Sequence, residues 1–272
     1  MSLNLSNHDL VSVEIVEGVL KTLKSNGVID EHPLNGAVEL NLSINQLKEL
    51  PELPDSLLTL TCGGNQLQTL PKLPKSLIWL SCHNNLLQSL PKLPNSLLGI
   101  YCYGNHLSTL PKLPKTLERL YCSENDILKL PKLPKTLNIL SCHKNRLETL
   151  PTLPKSLSVL RCTNNHLQTL PNLPSTITNL SCFNNPLVFI PPLPKRPERY
   201  QAPNLFIVSH SEENYETYYK RYQTYKYLIS FLAIQSNLMP LLLTNKHFWF
   251  PGEGEDWEEK LFEGGGFEGW KD

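Results

Sequence analysis

Apolar positions recur at a fixed interval of 20 residues between residues 37 and 196. The copies follow the pattern L-x-x-L-x-C-x-x-N-x-L-x-x-L-P-x-L-P-x-[ST], with mostly polar residues at the positions marked x, and the first copy has Leu42 in place of the cysteine. The eight copies begin at Ala37, Leu57, Leu77, Leu97, Leu117, Leu137, Leu157 and Ile177. Such a period predicts a solenoid in which each copy forms one coil and stacks on the next.

The first half of each copy predicts a short β-strand. Apolar and polar residues alternate from Arg119 to Ser123, which is the period of a strand. Leu120 and Cys122 are expected to point inward, so that Arg119, Tyr121 and Ser123 point outward. We expect the eight strands to form a parallel sheet that lines the concave surface of the solenoid.

The second half of each copy predicts an extended return path. Two prolines three residues apart occur there in all eight copies, as at Pro71 and Pro74. Proline fixes φ at about −65° and lacks an amide hydrogen, which excludes a helix. We therefore expect a polyproline-like stretch on the convex side.

Because of the fixed period, cysteine and asparagine each recur at the same position of successive copies, and each forms a column along the solenoid. The seven cysteines are Cys62, Cys82, Cys102, Cys122, Cys142, Cys162 and Cys182. A row of cysteines does not converge on one point, as zinc requires, and parallel inward side chains have poor torsion for a disulfide. We expect buried free thiols, which suit a reducing compartment. The asparagine three residues after each cysteine is expected to bond backbone groups that the turn leaves unpaired.

The short repeat and its L-P-x-L-P segment, as in residues 70–74, resemble the LPX-type leucine-rich repeats of bacterial type III secreted effectors. Similar arrays are encoded by large DNA viruses. The resemblance implies a leucine-rich-repeat solenoid. Some of those effectors carry a ubiquitin-ligase domain with a catalytic cysteine. Because no cysteine lies outside the repeats here, the resemblance implies the repeat-only adaptors and not the ligases.

The net charge of zero conceals a segregation of charge along the chain. Residues 37–196 carry 16 basic and 8 acidic groups, whereas residues 1–36 carry 2 and 5, and residues 197–272 carry 7 and 12. The basic array could meet an acidic protein, a nucleic acid or its own acidic flank. No secretory signal peptide or membrane span is readable, so we expect a cytoplasmic protein, including the cytoplasm of a host cell.

The flanks are expected to cap the solenoid. For residues 1–36 we predict a helical cap, with an amphipathic helix from Asp9 to Ser25. For residues 197–250 we predict a second cap with a long helix from Glu212 to Asn237. Residues 251–272 form an acidic, glycine-rich tail with four aromatic residues. This tail could fold back onto the array, bridge to a neighbouring molecule or remain solvated.

The outward positions of the strands provide a candidate protein-binding surface. Aromatic and arginine side chains dominate binding hot spots, and nothing inside the solenoid requires them. The candidates are Trp79, His83, Tyr101, Tyr103, Arg119, Tyr121, His143 and Arg161. The sequence shows no catalytic constellation, metal-ligand cluster or phosphate-binding glycine loop, so we expect a non-enzymatic scaffold without a cofactor.

A lysine stripe on the return stretch offers an alternative function. It consists of Lys72, Lys75, Lys92, Lys112, Lys115, Lys132, Lys135 and Lys155. Rows of lysine could follow the phosphates of a nucleic acid or another polyanion. Nucleic-acid binding is the weaker interpretation, because the aromatic residues that would stack on bases lie on the other surface.

Overall fold

The computed structural model describes residues 2–16, 18–34, 36–182, 184–187 and 206–207. These residues contain thirteen β-strands in two sheets and no helix. The described part of the chain therefore has no helix that could cross a membrane. The predicted helix from Glu212 to Asn237 and the acidic tail lie outside the described residues.

The N-terminal region supplies four strands. They are β1 (Ser2–Asn4), β2 (Leu10–Val16), β3 (Val19–Lys24) and β4 (Ile29–Pro33). Each repeat then supplies one strand of three residues. These strands are β5 (Glu39–Asn41), β6 (Thr59–Thr61), β7 (Trp79–Ser81), β8 (Gly99–Tyr101), β9 (Arg119–Tyr121), β10 (Ile139–Ser141), β11 (Val159–Arg161) and β12 (Asn179–Ser181). The last described strand is β13 (Phe206–Ile207).

The repeat strands form one parallel sheet in the order β1-β5-β6-β7-β8-β9-β10-β11-β12-β13. Pairing joins equivalent residues of successive repeats, so that Leu120 lies opposite Leu140 and Tyr121 opposite Ser141. The sequence period therefore becomes the register of the sheet. This confirms the predicted parallel solenoid with its strand at the start of each copy.

The core lies between the sheet and the return stretches. The inward strand leucine, the cysteine and the apolar residue five positions later are completely buried in the central repeats, as at Leu120, Cys122 and Ile127. Leu130 and Leu133 close the core from the return stretch, which forms neither helix nor strand. The seven cysteines are free and buried, as predicted.

The asparagine column also has its predicted structural role. The Nδ2 group of Asn125 donates to the carbonyl oxygens of Cys102 (3.0 Å), Cys122 (3.3 Å) and Ser123 (2.9 Å). Its Oδ1 accepts a hydrogen bond of 2.9 Å from the amide of Leu107, in the preceding repeat. Each asparagine thus joins two neighbouring coils. These backbone groups are buried and therefore need hydrogen-bond partners. The turn after the strand does not provide them, and the asparagine side chains do.

A hydroxyl column on the return stretch was not anticipated from the sequence. The Oγ1 atom of Thr116 lies 2.8 Å from the carbonyl oxygen of Asn95 and 2.7 Å from that of Leu97. The same contacts recur 20 residues later at Thr136. The signal was present as the final Ser or Thr of the repeat pattern. Without a register, however, its acceptors in the preceding coil could not be named.

The residue before each ladder asparagine adopts a left-handed backbone conformation, with φ between 50° at Asn84 and 66° at Gly64. Glycine or asparagine occupies this position in five of the repeats, and both tolerate positive φ. Ile44 occupies it in the first repeat, with φ 56° and an exposed side chain. A β-branched residue is strained there.

The prediction of an N-terminal helix from Asp9 to Ser25 is wrong. Strands β2, β3 and β4 instead form an antiparallel sheet over this region and the residues that follow. The segment is rich in β-branched valine, which favours strands, and Gly18 adopts φ 76° between β2 and β3. The Asn26-Gly27 pair lies between β3 and β4. Asn-Gly is a strong hairpin signal.

Residues 3–10 form an additional half-coil at the start of the array. Their sequence, LNLSNHDL, resembles LNLSINQL at residues 40–47. The amide of Leu5 donates to the carbonyl of Asn41 (2.7 Å), and the amide of Leu10 donates to Oδ1 of Asn45 (2.9 Å). These bonds match those between later repeats. The offset of 37 residues, instead of 20, accommodates the antiparallel sheet.

Candidate functional site on the sheet face

The outward positions of the repeat strands form the sheet face, which consists of three rows. Row one contains Trp79, Gly99, Arg119, Ile139 and Val159. Row two contains Ser81, Tyr101, Tyr121, Ser141 and Arg161. Row three follows the strands and contains His83, Tyr103, Ser123, His143 and Thr163. Because neighbouring strands lie about 4.8 Å apart, side chains of one row are within contact distance of each other.

Three aromatic rings form a continuous group across β7, β8 and β9. The rings of Tyr101 and Tyr121 stack with centroids 4.8 Å apart and planes 9° apart. The ring of Trp79 lies 6.4 Å from that of Tyr101 at an angle of 38°. All three side chains are half-buried, so part of each ring remains available to solvent. The predicted binding residues of these strands are therefore joined in one surface.

Arg119 completes this aromatic group from two strands away. Its guanidinium carbon lies 5.6 Å from the centroid of the Trp79 ring, which is within cation–π distance. Gly99 separates the two residues in row one. A β-carbon at Gly99 would lie 2.0 Å from an atom of the indole ring. The absence of a side chain at Gly99 therefore lets the tryptophan lie across the strand and meet the arginine.

We call Trp79, Tyr101, Arg119 and Tyr121 the aromatic cluster. The role of Gly99 beneath it is not predicted by the sequence analysis. A glycine between two large residues of the same row was the available signal. It becomes interpretable once the register places the three residues on adjacent strands.

His83 and Tyr103 form a second stack in row three. Their rings lie 4.7 Å apart with planes 18° apart. The His83 ring also covers Gly63 of the preceding repeat, where a β-carbon would lie 2.2 Å from the imidazole. Burial lowers the pKa of His83 and raises the pKa of Tyr103. The histidine is therefore held as a neutral aromatic ring, which suits stacking.

Arg161 lies two strands from Tyr121 in row two and is exposed, as Arg119 is. Burial and the neighbouring Tyr101 raise the pKa of Tyr121, while the positive charges of Arg161 and Arg119 oppose that rise. Both arginines thus act electrostatically on the same phenol. His143 lies half-buried in row three, two repeats beyond Tyr103. It belongs to the sixth repeat, whereas the aromatic cluster lies in repeats three to five.

In repeats three to seven the sheet face carries positive charge without acidic residues. None of the fifteen positions in the three rows from repeats three to seven is Asp or Glu. The exposed ion pairs Lys144–Glu124 (3.5 Å) and Arg146–Asp126 (2.6 Å) use other positions of the coil, on either side of the ladder asparagine. Among the described residues, no group of three or more His, Cys, Asp and Glu side chains could hold a metal ion.

This chain is similar to known proteins among solved structures. No protein-family model matches the chain, and no curated protein matches it. Among solved structures, YopM from Yersinia enterocolitica is 38% identical with a TM-score of 0.56, over 58% of this chain and 35% of that chain. An effector LRR domain from Shigella is 31% identical with a TM-score of 0.49, over 56% of this chain and 72% of that domain.

YopM from Yersinia pestis, described as a leucine-rich effector protein, is 31% identical with a TM-score of 0.45, over 65% of this chain and 61% of that chain. The present chain therefore spans only about a third of the Yersinia enterocolitica YopM chain and less than two thirds of the Yersinia pestis one. The similarity to YopM from Yersinia enterocolitica confirms the resemblance of the repeat motif to the leucine-rich repeats of bacterial effectors.

Proposed function

This chain belongs to the leucine-rich-repeat family that includes YopM and the Shigella effector domain, and from that premise we propose that it is a non-enzymatic scaffold for a partner protein. We take the sheet face as the concave surface of the array and as its binding surface. The partner is a host protein, and the chain acts as an effector or viral adaptor. The free thiols fit a cytoplasmic location.

The aromatic cluster is the observation that carries this proposal. It brings one tryptophan, two tyrosines and one arginine into contact on three adjacent strands. These residue types bury large areas with little loss of side-chain entropy and keep polar atoms for hydrogen bonds. Their rings are already held against each other, so that binding requires little further ordering.

The repeat itself does not require these side chains. The core is filled by inward leucines and cysteines, and the asparagine and hydroxyl columns join the coils. The equivalent outward positions in the second repeat are Thr59 and Thr61. The solenoid therefore forms with small polar residues at positions where repeats three to five carry aromatic ones, which leaves the aromatic residues available for recognition.

Affinity capture from host-cell lysate tests the proposal. The full chain is compared with a variant that carries Trp79→Ala, Tyr101→Ala and Tyr121→Ala, and retained proteins are identified by mass spectrometry. Leu128→Ala is the matched control, because Leu128 is apolar and exposed but lies off the sheet face. We expect the triple variant to lose proteins that the control retains, with folding checked by circular dichroism. Identical sets from all three proteins would refute the role of the sheet face.

Polyanion binding through the lysine stripe is the second candidate. All eight lysines are exposed on the return stretch, and several occur at equivalent positions of successive repeats. Binding of this kind would weaken steeply with salt, because it releases counterions. Retention on heparin that survives the triple alanine variant but is lost when Lys112 and Lys132 become glutamine would favour this function over protein binding at the sheet face.

A further inference from the structure

The positive charge of the sheet face has no acidic partner in the described part of the chain. Arg119 and Arg161 are exposed, and neither takes part in an ion pair among the described residues. Arg119 instead contacts the face of an indole ring. Each of the two arginines, which both act electrostatically on Tyr121, can bind a carboxylate through two parallel hydrogen bonds.

The aromatic cluster supplies an apolar surface beside these charges. The rings of Trp79, Tyr101 and Tyr121 are only half-buried. An occupant of this surface therefore has to combine carboxylates with aromatic or apolar side chains. Aromatic rings pack favourably on one another when offset or tilted, as the rings of the cluster already do.

Residues 251–272 of the same chain have this composition. They contain eight acidic and two basic residues, a net charge of −6 from these groups. The four aromatic residues interspersed among them are Trp257, Phe262, Phe267 and Trp270. The segment thus complements the sheet face in both charge and apolar character.

The length of the intervening chain permits the contact. Residue 207 belongs to the strand that closes the sheet beside β12, and 44 positions separate it from residue 251. A chain of that length reaches at most about 150 Å when fully extended. The distance across the sheet from β13 to β7 is six strand spacings, or about 29 Å. The reach of the chain therefore exceeds the required distance several-fold.

We propose that residues 251–272 occupy the sheet face of their own molecule and that an external partner has to displace them. This inference rests on the proposed role of the sheet face as the binding surface. Individual exposed ion pairs are weak and are screened by salt. A tethered segment, however, binds with an effective concentration in the millimolar range, so modest contacts suffice. A partner binds only those molecules whose sheet face is not occupied by residues 251–272. Its apparent affinity is therefore lowered by the fraction of molecules with a free sheet face.

Site-specific photo-crosslinking in the full chain tests this occupant. The photoreactive residue p-benzoylphenylalanine replaces Ile139, a half-buried row-one residue beside Arg119. The matched control places it at Lys135, which is exposed on the return stretch of the preceding coil. We expect crosslinks from position 139 to residues 251–272, several-fold above those from position 135, in a product with the mass of one chain.

Two charge variants make the test specific. Arg119→Glu with Arg161→Glu should reduce the crosslink yield from position 139 at least several-fold, and so should replacement of the eight acidic residues of 251–272 by their amides. Equal yields from the two positions, no crosslink to 251–272, or yields that ignore both charge variants would overturn the proposal. A product that joins two chains and disappears on dilution would overturn it in favour of a neighbouring molecule.

Occupation of the sheet face by residues 251–272 and binding of a partner protein on that face can be refuted independently. If the crosslinks are absent while the triple alanine variant still loses its captured partner, only the self-occupation is wrong. If the crosslinks form as expected, the amide variant should also retain several-fold more of that partner than the unmodified chain. Crosslinks together with unchanged capture by the triple alanine variant would instead refute the sheet face as the partner surface.

Discussion

Replacement of Asn125 by alanine should destabilise the repeat array by about 3–5 kcal/mol. The side chain is buried between two coils, and its Oδ1 is the acceptor for the amide of Leu107 at 2.9 Å. Alanine leaves that amide without a partner in the interior. An orphaned buried donor costs about 1–3 kcal/mol.

The donor side of Asn125 adds a smaller loss. Its Nδ2 bonds to the carbonyls of Cys102 and Ser123 are the shorter two, at 3.0 Å and 2.9 Å. Each of these oxygens keeps a second donor, so only the bond is lost and no acceptor is orphaned. Such bonds contribute about 1 kcal/mol each. Together with the amide this gives the stated range.

Urea denaturation followed by circular dichroism measures the loss. Asn95→Ala is the matched control, because Asn95 is exposed on the return stretch and its removal should change stability by less than about 0.5 kcal/mol. A lower m-value in the Asn125 variant would indicate that the array unfolds as two blocks, since each coil contacts only its neighbours. A loss below about 1 kcal/mol with an unchanged m-value would refute the ladder as the link between coils.

The conservative variant Asn125→Asp separates the two sides of the amide. Aspartate retains an acceptor for Leu107 but points a second oxygen at the carbonyls. Because these carbonyls and burial disfavour the ionised form, the folded-state pKa is raised above the unfolded value of about 3.9. Stability should therefore fall as pH rises through that range and beyond. A stability that rises with pH relative to the unmodified chain would contradict this reasoning.

Three further outcomes are expected. Ile44→Asn should stabilise the chain by about 1 kcal/mol in urea denaturation, because it relieves a β-branched residue at φ 56°; an unchanged midpoint would contradict the strain. The seven thiols should react with a thiol reagent only on unfolding, because burial raises their pKa, at Cys62 to about 12; reaction faster than unfolding would contradict their burial. Stability should also fall as pH drops below about 6.5, because burial lowers the pKa of His83 and the unfolded chain then binds more protons. His83→Gln should remove that part of the pH dependence, and equal slopes for the two proteins would count against it.

The repeat array could be predicted from the period alone. A fixed period places the same residue at the same point of every coil, so one assignment of inward and outward positions holds for all eight copies. The inward Leu120 and Cys122, the extended return stretch and the structural asparagines all followed from it. These features depend on the residue type and its position in the coil, both of which the sequence states directly.

The strands of the N-terminal region became clear only from their partners in the folded chain. From Asp9 to Ser25 the apolar residues fit a helical period, while their β-branched character fits strands. Hydrogen bonds decide between helix and strand. The amide of Leu10 donates to Oδ1 of Asn45, and the following residues pair as antiparallel strands. Two of the partners, Asn45 and strand β4, lie outside the segment, so the apolar spacing of the segment does not contain all the contacts that select strand over helix.

The geometry of the aromatic cluster also required the folded chain. The sequence placed Trp79, Tyr101, Arg119 and Tyr121 on one face, but it did not indicate which side chains touch. The contact of Arg119 with Trp79 across Gly99 depends on two strand pairings and on the direction in which the indole leans. Sequence periodicity fixes which face a side chain occupies, whereas its contacts depend on the side chains of neighbouring coils, which only the packed array brings together.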